Sequence, residues 1–192
     1  MNCGCMYYGK KVILRSLELS DVDEIMKYIN SLELRKTLGG IVPLTNEQEI
    51  DFVKKSWENR MKGESYVFAL TTLDGKFLGS VALEDVDTLG RTAELGILIG
   101  DPQNQNQGYG TDAVIAICAF GFQYLNLHSI YLRHVEYNDM GVRAYEKAGF
   151  TKTGIEREVI FRDGKYFNAH RMDILDREFF EKFPDYSLYP AK

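Results

Sequence analysis

The segment at positions 97–113, ILIGDPQNQNQGYGTDA, constrains what this chain can fold into more than any other. An apolar run ends at Gly100, and Pro102 breaks it. Five amide side chains, Gln103 to Gln107, then lead into Gly108-Tyr109-Gly110, and helix-forming sequence follows at once. Glycine lets the backbone take positive φ and lets a ligand approach where a Cβ would clash. The first N–H groups of a helix have no acceptor within it, and the helix dipole favours negative charge there. A strand, a polar loop and an open helix start in this order form a site for phosphate oxygens, with neutral amides as further donors. A plain loop–helix joint is the competing reading, and spacing alone does not separate the two. Two common phosphate loops are excluded. No Lys-Ser/Thr follows the glycines, and the GxGxxG of a dinucleotide fold is absent.

The rest of the 192-residue chain alternates strand and helix without repeats or a low-complexity linker, and the chain's length suits one domain. Val12–Ser16 predicts a strand. Ser20 is expected to cap a helix running to about Ile29, with Val22, Ile25, Met26 and Ile29 at helical spacing. Thr45 caps a second helix, with Glu47 and Glu49 in its first turn. Tyr66–Thr72 and Lys76–Leu83 form a hairpin across Leu73-Asp74-Gly75, and Arg91–Gly100 is a further strand. Gly108–Tyr124 reads as a buried helix, Ser129–Val135 as a strand, and Gly141–Ala148 as a short helix stopped by Gly149. A second hairpin turns at Asp163-Gly164, between Glu156–Phe161 and Tyr166–Leu175. The result is an α/β domain, a mixed sheet with helices on its faces. We expect a flexible tail over 1–10, the domain over 11–180 and a C-terminal extension over 181–192.

Composition excludes several classes. No apolar run reaches the roughly 18 residues that a membrane span requires, and residues 1–11 lack the pattern of a secretory signal. The cytoplasm is the expected compartment. A net charge of −5 argues against a nucleic-acid binder. Cys118 sits in an apolar stretch and reads as a core residue. Cys3 and Cys5 are expected in the mobile tail. His128, His134 and His170 lack ligand spacing, so no metal is expected.

Two blocks carry a family resemblance. Gln105-x-x-Gly108-x-Gly110 matches the Gln/Arg-x-x-Gly-x-Gly/Ala motif of the GNAT superfamily of N-acetyltransferases. Asn138-Asp-Met-Gly-Val-Arg-Ala-Tyr145-Glu-Lys-Ala-Gly149-Phe150 resembles that superfamily's Asn-x-x-(Ala/Ser)-x-x-x-Tyr-x-Lys-x-Gly-Phe segment. The blocks fall in family order, with a helix and a strand between them. The opening and closing segments look most like the branch of ribosomal-protein N-terminal and bacterial spermidine acetyltransferases. Asn106 stands where many members have glycine, and Gly141 where alanine or serine is usual. Asn tolerates left-handed geometry better than most residues, and Gly141 weakens its helix by up to about 1 kcal/mol relative to alanine. The resemblance implies a single-domain fold with a twisted, mostly antiparallel sheet of about seven strands and helices on both faces. It also implies acetyl-CoA as co-substrate and an amine as acceptor.

Acetyl transfer from a thioester to an amine sets three tasks. The amine must shed a proton, the carbonyl oxygen needs donors as it gains charge, and the leaving thiolate benefits from an acid. Tyr145 is the candidate acid, since a phenol stays protonated at neutral pH; the resemblance implies the same role. Tyr109 competes, but between two glycines its backbone N–H is the useful part. The resemblance places the cofactor against Leu98, Ile99, Gly100, Gln105, Asn106, Gln107, Gly108, Tyr109, Gly110, Thr111, Asn138 and Tyr145. Asn138 bonds the pantetheine arm, caps the helix bearing Tyr145, or does both. The resemblance implies that the strand Leu95–Gly100 splays from the next one and leaves main-chain groups free for the pantetheine amides and the acetyl oxygen; Gly96 and Gly100 permit such a bulge. Glu94 is the first candidate base and Glu84 the second, unless the enzyme binds the amine already neutral.

If Glu47/Glu49/Asp51, Glu84/Asp85/Asp87 and Glu156/Glu158 converge on one cleft, a polyamine suits it; otherwise a peptide α-amine remains open. A non-catalytic acetyl-CoA sensor is the alternative from another class, and it needs no Tyr145. Exposed strand edges make a homodimer an expectation.

Overall fold

A computed structural model describes residues 6–38 and 42–189. Eight strands form one sheet: β1 (Tyr7–Tyr8), β2 (Val12–Ser16), β3 (Tyr66–Thr72), β4 (Phe77–Asp87), β5 (Thr92–Ile99), β6 (Ser129–Val135), β7 (Thr151–Arg162) and β8 (Lys165–Leu175). Their order is β1-β2-β3-β4-β5-β6-β8-β7, with β5 and β6 parallel and every other neighbouring pair antiparallel. The helices are α1 (Val22–Met26), α2 (Leu32–Arg35), α3 (Asn46–Lys62), α4 (Tyr109–Tyr124), α5 (Asp139–Ala148) and α6 (Asp176–Lys182). Among the described residues no helix is long and apolar enough to cross a membrane.

Strand alternation divides the core into two. Leu78, Val81, Leu83, Ile130 and Leu132 pack under α4, α5 and α6, whereas Val67, Ala69 and Ala82 pack under α1 and α3. Helix α4 is buried along most of its length, and its small residues Ala113, Ala116, Cys118 and Ala119 let its axis lie close to the sheet. Burial pushes the Cys118 thiol far up, so this residue is inert packing.

Thr45 starts α3 as expected. Its hydroxyl accepts from Gln48 N–H at 3.2 Å, and the Gln48 side chain accepts from Thr45 N–H at 2.9 Å. The first helix differs from its expectation. Asp21, not Ser20, closes its start, because the Asp21 carboxylate accepts from Glu18 N–H at 2.9 Å while holding Arg15 at 2.8 and 2.7 Å. A 3₁₀ turn over Leu19–Asp21 therefore precedes a short α1.

The termini also depart from the tail-and-extension boundaries. Tyr7 packs against the rings of Phe68, Phe120 and Tyr124, and Tyr8 N–H donates to Leu188 C=O at 2.9 Å. Leu188 is fully buried. Aromatic burial and this backbone contact thus place Tyr7, Tyr8 and Leu188 within the domain and add an eighth strand to the seven expected. Cys3 and Cys5 lie outside the described residues.

Candidate active site

The loop before α4 is built by its own side chains. Asp101 accepts from Gln103 N–H at 2.9 Å and starts a 3₁₀ turn over Pro102–Asn104. Asn106 then adopts φ 57°, the left-handed geometry that its departure from glycine required. Gly108, at φ 85°, is the N-cap of α4, and no side chain caps the helix. The N–H groups of Tyr109, Gly110 and Thr111 therefore remain open, since Asp112 N–H is the first to bond back, to Gly108 C=O at 3.1 Å. A Cβ on Gly110 would meet the protein only at Ile99, at 3.5 Å, so packing does not demand glycine there. Its backbone is open to close approach from outside the protein.

Asp112, in the first turn of α4, gives its carboxylate to the β1–β2 connection. It accepts from Lys10, Lys11 and Val12 N–H at 3.1, 2.7 and 3.1 Å, anchoring the β1–β2 connection to the helix start. This places the Lys11 ammonium 2.9 Å from Gln107 C=O, beside Gly108. Sequence reading missed both residues, because a contact over about a hundred positions leaves no local pattern.

The parallel ladder between β5 and β6 ends at Glu94↔Tyr131, yet β5 continues to Ile99 and β6 to Val135. Beyond that point the strands part, and β5 keeps its bonds to β4 as far as Gly79↔Ile99. Its other edge, Leu95–Ile99, is therefore free to offer backbone groups to a ligand. A cleft of about 470 Å³ opens here. Leu98, Ile99, Gln105, Asn106, Gly108, Gly110, Thr111, Asn138 and Tyr145 line it; Gly100, Gln107 and Tyr109 do not. Gly100 instead faces Tyr28, the Gln107 amide donates to Gln103 C=O at 2.6 Å, and Tyr109 packs on the core. The splay expected of β5 is thus present, but without a register shift at Gly96 or Gly100. The irregularity lies on β4, between Glu84 and Asp87, with Asp85 at φ 48°. On the same strand Gly79 is indispensable, because a Cβ there would fall 2.0 Å from Leu98 C=O.

Helix α5 carries the second motif into this gap. Asn138 Oδ1 accepts from Gly141 N–H at 3.1 Å and caps α5, and a Cβ on Gly141 would meet the Asn138 amide at 2.6 Å. The glycine thus makes room for the cap. Tyr145 sits on the floor of the cleft, and burial pushes its phenol up to about 12. Beside it lies His134, with ring centroids 6.2 Å apart; no spacing rule had singled it out.

Glu84 and Glu94 face each other across the β4–β5 ladder and both line the cleft. Burial raises the Glu84 carboxyl, helped by Asp85 and Glu94. Burial also raises Glu94, opposed by Arg133 and Arg171 and reinforced by Asp85 and Glu156. By strand alternation these carboxylates lie on the α1/α3 face and Tyr145 on the α4/α5 face, so the cleft passes through the sheet where β5 and β6 part. Of the three acidic segments, Glu84/Asp85 and Glu156 converge with Glu94, whereas Glu47, Glu49 and Asp51 on α3 do not line the cleft. Among the described residues, no group of three or more His, Cys, Asp or Glu is placed to hold a metal.

This arrangement has known counterparts. A family model described as Acetyltransferase (GNAT) domain matches residues 11–151. The chain is 30% identical over 115 residues to the spermidine N(1)-acetyltransferase of Vibrio cholerae serotype O1; the match covers 60% of this chain and 66% of that relative, just under two thirds of its length. The crystal structure of spermidine N-acetyltransferase from Vibrio cholerae in complex with CoA and spermine superposes with a TM-score of 0.80 at 25% identity, covering 88% of this chain and 98% of that one. A ribosomal L7/L12 α-N-protein acetyltransferase in complex with coenzyme A gives a TM-score of 0.81 at 14% identity, covering 89% and 98%, a likeness of fold alone.

Proposed function

This chain belongs to the GNAT acetyltransferase family, and from that premise we propose that it transfers acetyl from acetyl-CoA directly to a primary amine, a polyamine before a peptide N-terminus. The observation that carries this reading is the opening between β5 and β6, bounded by the uncapped start of α4 and by buried Tyr145. The open N–H groups of Tyr109, Gly110 and Thr111 suit the pyrophosphate, with the Lys11 charge nearby. The free edge of Leu95–Ile99 suits the pantetheine amides and the acetyl oxygen. Glu94 or Glu84, raised by burial, takes the amine's proton directly or through water. Tyr145 protonates the departing thiolate.

The polyamine preference rests on the carboxylates gathered around Glu94 and on the likeness to spermidine acetyltransferases. The long exposed edge of β7 supports self-association into a homodimer. Thiol release from acetyl-CoA, measured against spermidine, spermine and short peptides with free N-termini, tests the assignment. Turnover with polyamines supports it, and turnover confined to peptides moves the acceptor class. Acetyl-CoA binding without turnover on any amine refutes catalysis in favour of a sensor.

A further inference from the structure

His134 is 95% buried, and its ring is fixed from one side: Nδ1 lies 2.9 Å from Val135 C=O. A carbonyl only accepts, so Nδ1 carries the hydrogen and a neutral imidazole presents a bare lone pair at Nε2. That Nε2 is fully shielded and has no hydrogen-bond partner. A buried polar atom without a partner is costly, and a catalytic role is one reason for a fold to retain it. His134 lines the cleft beside Tyr145, at the end of β6 that has parted from β5.

The acid step poses a difficulty that this neighbour answers. Tyr145, held near 12, is a weak acid toward a thiolate whose parent pKa is about 8.5, and a bare transfer is uphill by roughly three orders of magnitude. It also leaves a phenolate where burial disfavours charge.

Resting on the transferase reading above, we propose that His134 is a second proton carrier, taking a proton released by the acceptor nitrogen and returning it to the Tyr145 oxygen as the phenol protonates the thiolate. In the tetrahedral intermediate nitrogen and sulfur are bonded to one carbon. Nε2 and the Tyr145 oxygen are not hydrogen-bonded to each other in this structure, with ring centroids 6.2 Å apart, so the relay requires the two side chains to close on the bound acyl group, as catalytic contacts commonly do. Glu94 or Glu84 takes the first proton, from the ammonium before attack; after attack an N–H bond of the nitrogen now joined to carbon breaks as Nε2–H forms. Nε2–H then breaks as the phenol O–H re-forms, and the original phenol proton forms S–H. The net change is one proton moved from nitrogen to sulfur, with both side chains restored.

The surroundings suit this role. Tyr145, Arg143 and Lys147 come from α5, His170 from β8 at a ring distance of 5.4 Å, and Lys152 from β7. Glu84 and Glu94 line the same cleft from the other face. Burial first, then His170 and Lys152, hold the imidazole below its ordinary value of 6.5 against the contact to Val135. The ring is therefore neutral and ready to accept at pH 7.

The first test is ¹⁵N NMR of the imidazole in the protein without substrate. An Nδ1–H tautomer titrating below 6.5 is expected, and an Nε2–H tautomer overturns the proposal without reference to activity. The second uses His134→Gln, with acetyl-CoA affinity as the check that the cleft is intact. We expect kcat to fall at least about tenfold with KM for acetyl-CoA within about twofold. We also expect the acid limb of the wild-type kcat profile to disappear in His134→Gln while persisting in Glu94→Gln. Unchanged kcat, or a reduced kcat with the acid limb unmoved, overturns the relay. Should His134→Gln misfold, a wild-type kcat flat from about pH 5 to 8 overturns it independently. A wild type inert toward every amine instead sinks the transferase reading itself.

Discussion

Replacing Asp112 by alanine removes one carboxylate that serves three backbone donors a hundred or more residues upstream. Its oxygens hold Lys10, Lys11 and Val12 N–H at 3.1, 2.7 and 3.1 Å, and the lack of a side chain at Gly9 makes room for it, since a Cβ there would lie 2.4 Å from Asp112 Oδ2. Each hydrogen bond to a charged acceptor contributes about 1.5–3 kcal/mol. The Lys10 and Lys11 groups are only partly buried and recover water in the variant, which returns much of their share. The Val12 N–H is buried and stays unsatisfied, at a cost of about 1–3 kcal/mol. The sum is about 3 kcal/mol, and for a chain of this size it lowers Tm by about 6–12 °C. Thermal unfolding followed by far-UV circular dichroism measures this. Acetyl-CoA titration of the folded variant reports the second consequence, because the β1–β2 connection no longer holds Lys11 over the loop. A loss of about two- to fivefold in affinity, shrinking with salt, is expected for one exposed charge. A Tm within about 2 °C of wild type refutes the premise that this carboxylate anchors the domain's edge.

Tyr145→Phe keeps the ring and loses the proton; kcat should fall by about 10² or more with acetyl-CoA affinity within about twofold, by stopped-flow and calorimetry. Gly79→Ala places a methyl 2.0 Å from a backbone oxygen across the β4–β5 ladder, and we expect a destabilisation of at least about 3 kcal/mol by urea denaturation. A soluble variant with wild-type stability removes this reason for the glycine. Glu49 is buried on α3, and burial raises its carboxyl above the ordinary 4.5, so the ionised form is penalised in the folded chain. Glu49→Gln should therefore be more stable than wild type at pH 7. That advantage should vanish as pH falls below about 4.5, where the carboxyl is protonated folded and unfolded alike; a pH-independent difference contradicts this account.

Much of the fold was legible because its signals are local. Strand alternation, the capping at Thr45, the hairpin glycines Gly75 and Gly164 and the helix stop at Gly149 each act within a few residues. The same holds for the loop before α4. Asn106 in left-handed geometry and Gly108 as an uncapped helix start follow from residue types that tolerate or permit those conformations. Less local features were misread or missed. The Ser20 cap lost to Asp21, whose carboxylate bonds Arg15 as well as the turn, and Tyr7, Tyr8 and Leu188 joined the domain through an aromatic cluster and a contact between Tyr8 and Leu188.

Sequence alone determined the order of elements, the two glycine-marked motifs and the residue types capable of acetyl-transfer chemistry, because backbone conformation and functional-group inventory are properties of short segments. Tertiary structure decided where β5 and β6 part, which of the three acidic segments gather around Glu94, and that Asp112 delivers Lys11 to the loop. It also left His134 buried beside Tyr145 with one nitrogen unpartnered. Those outcomes depend on packing between segments tens of residues apart, and burial, which shifts the titration of Tyr145, Glu84 and Glu94, exists only after that packing is complete.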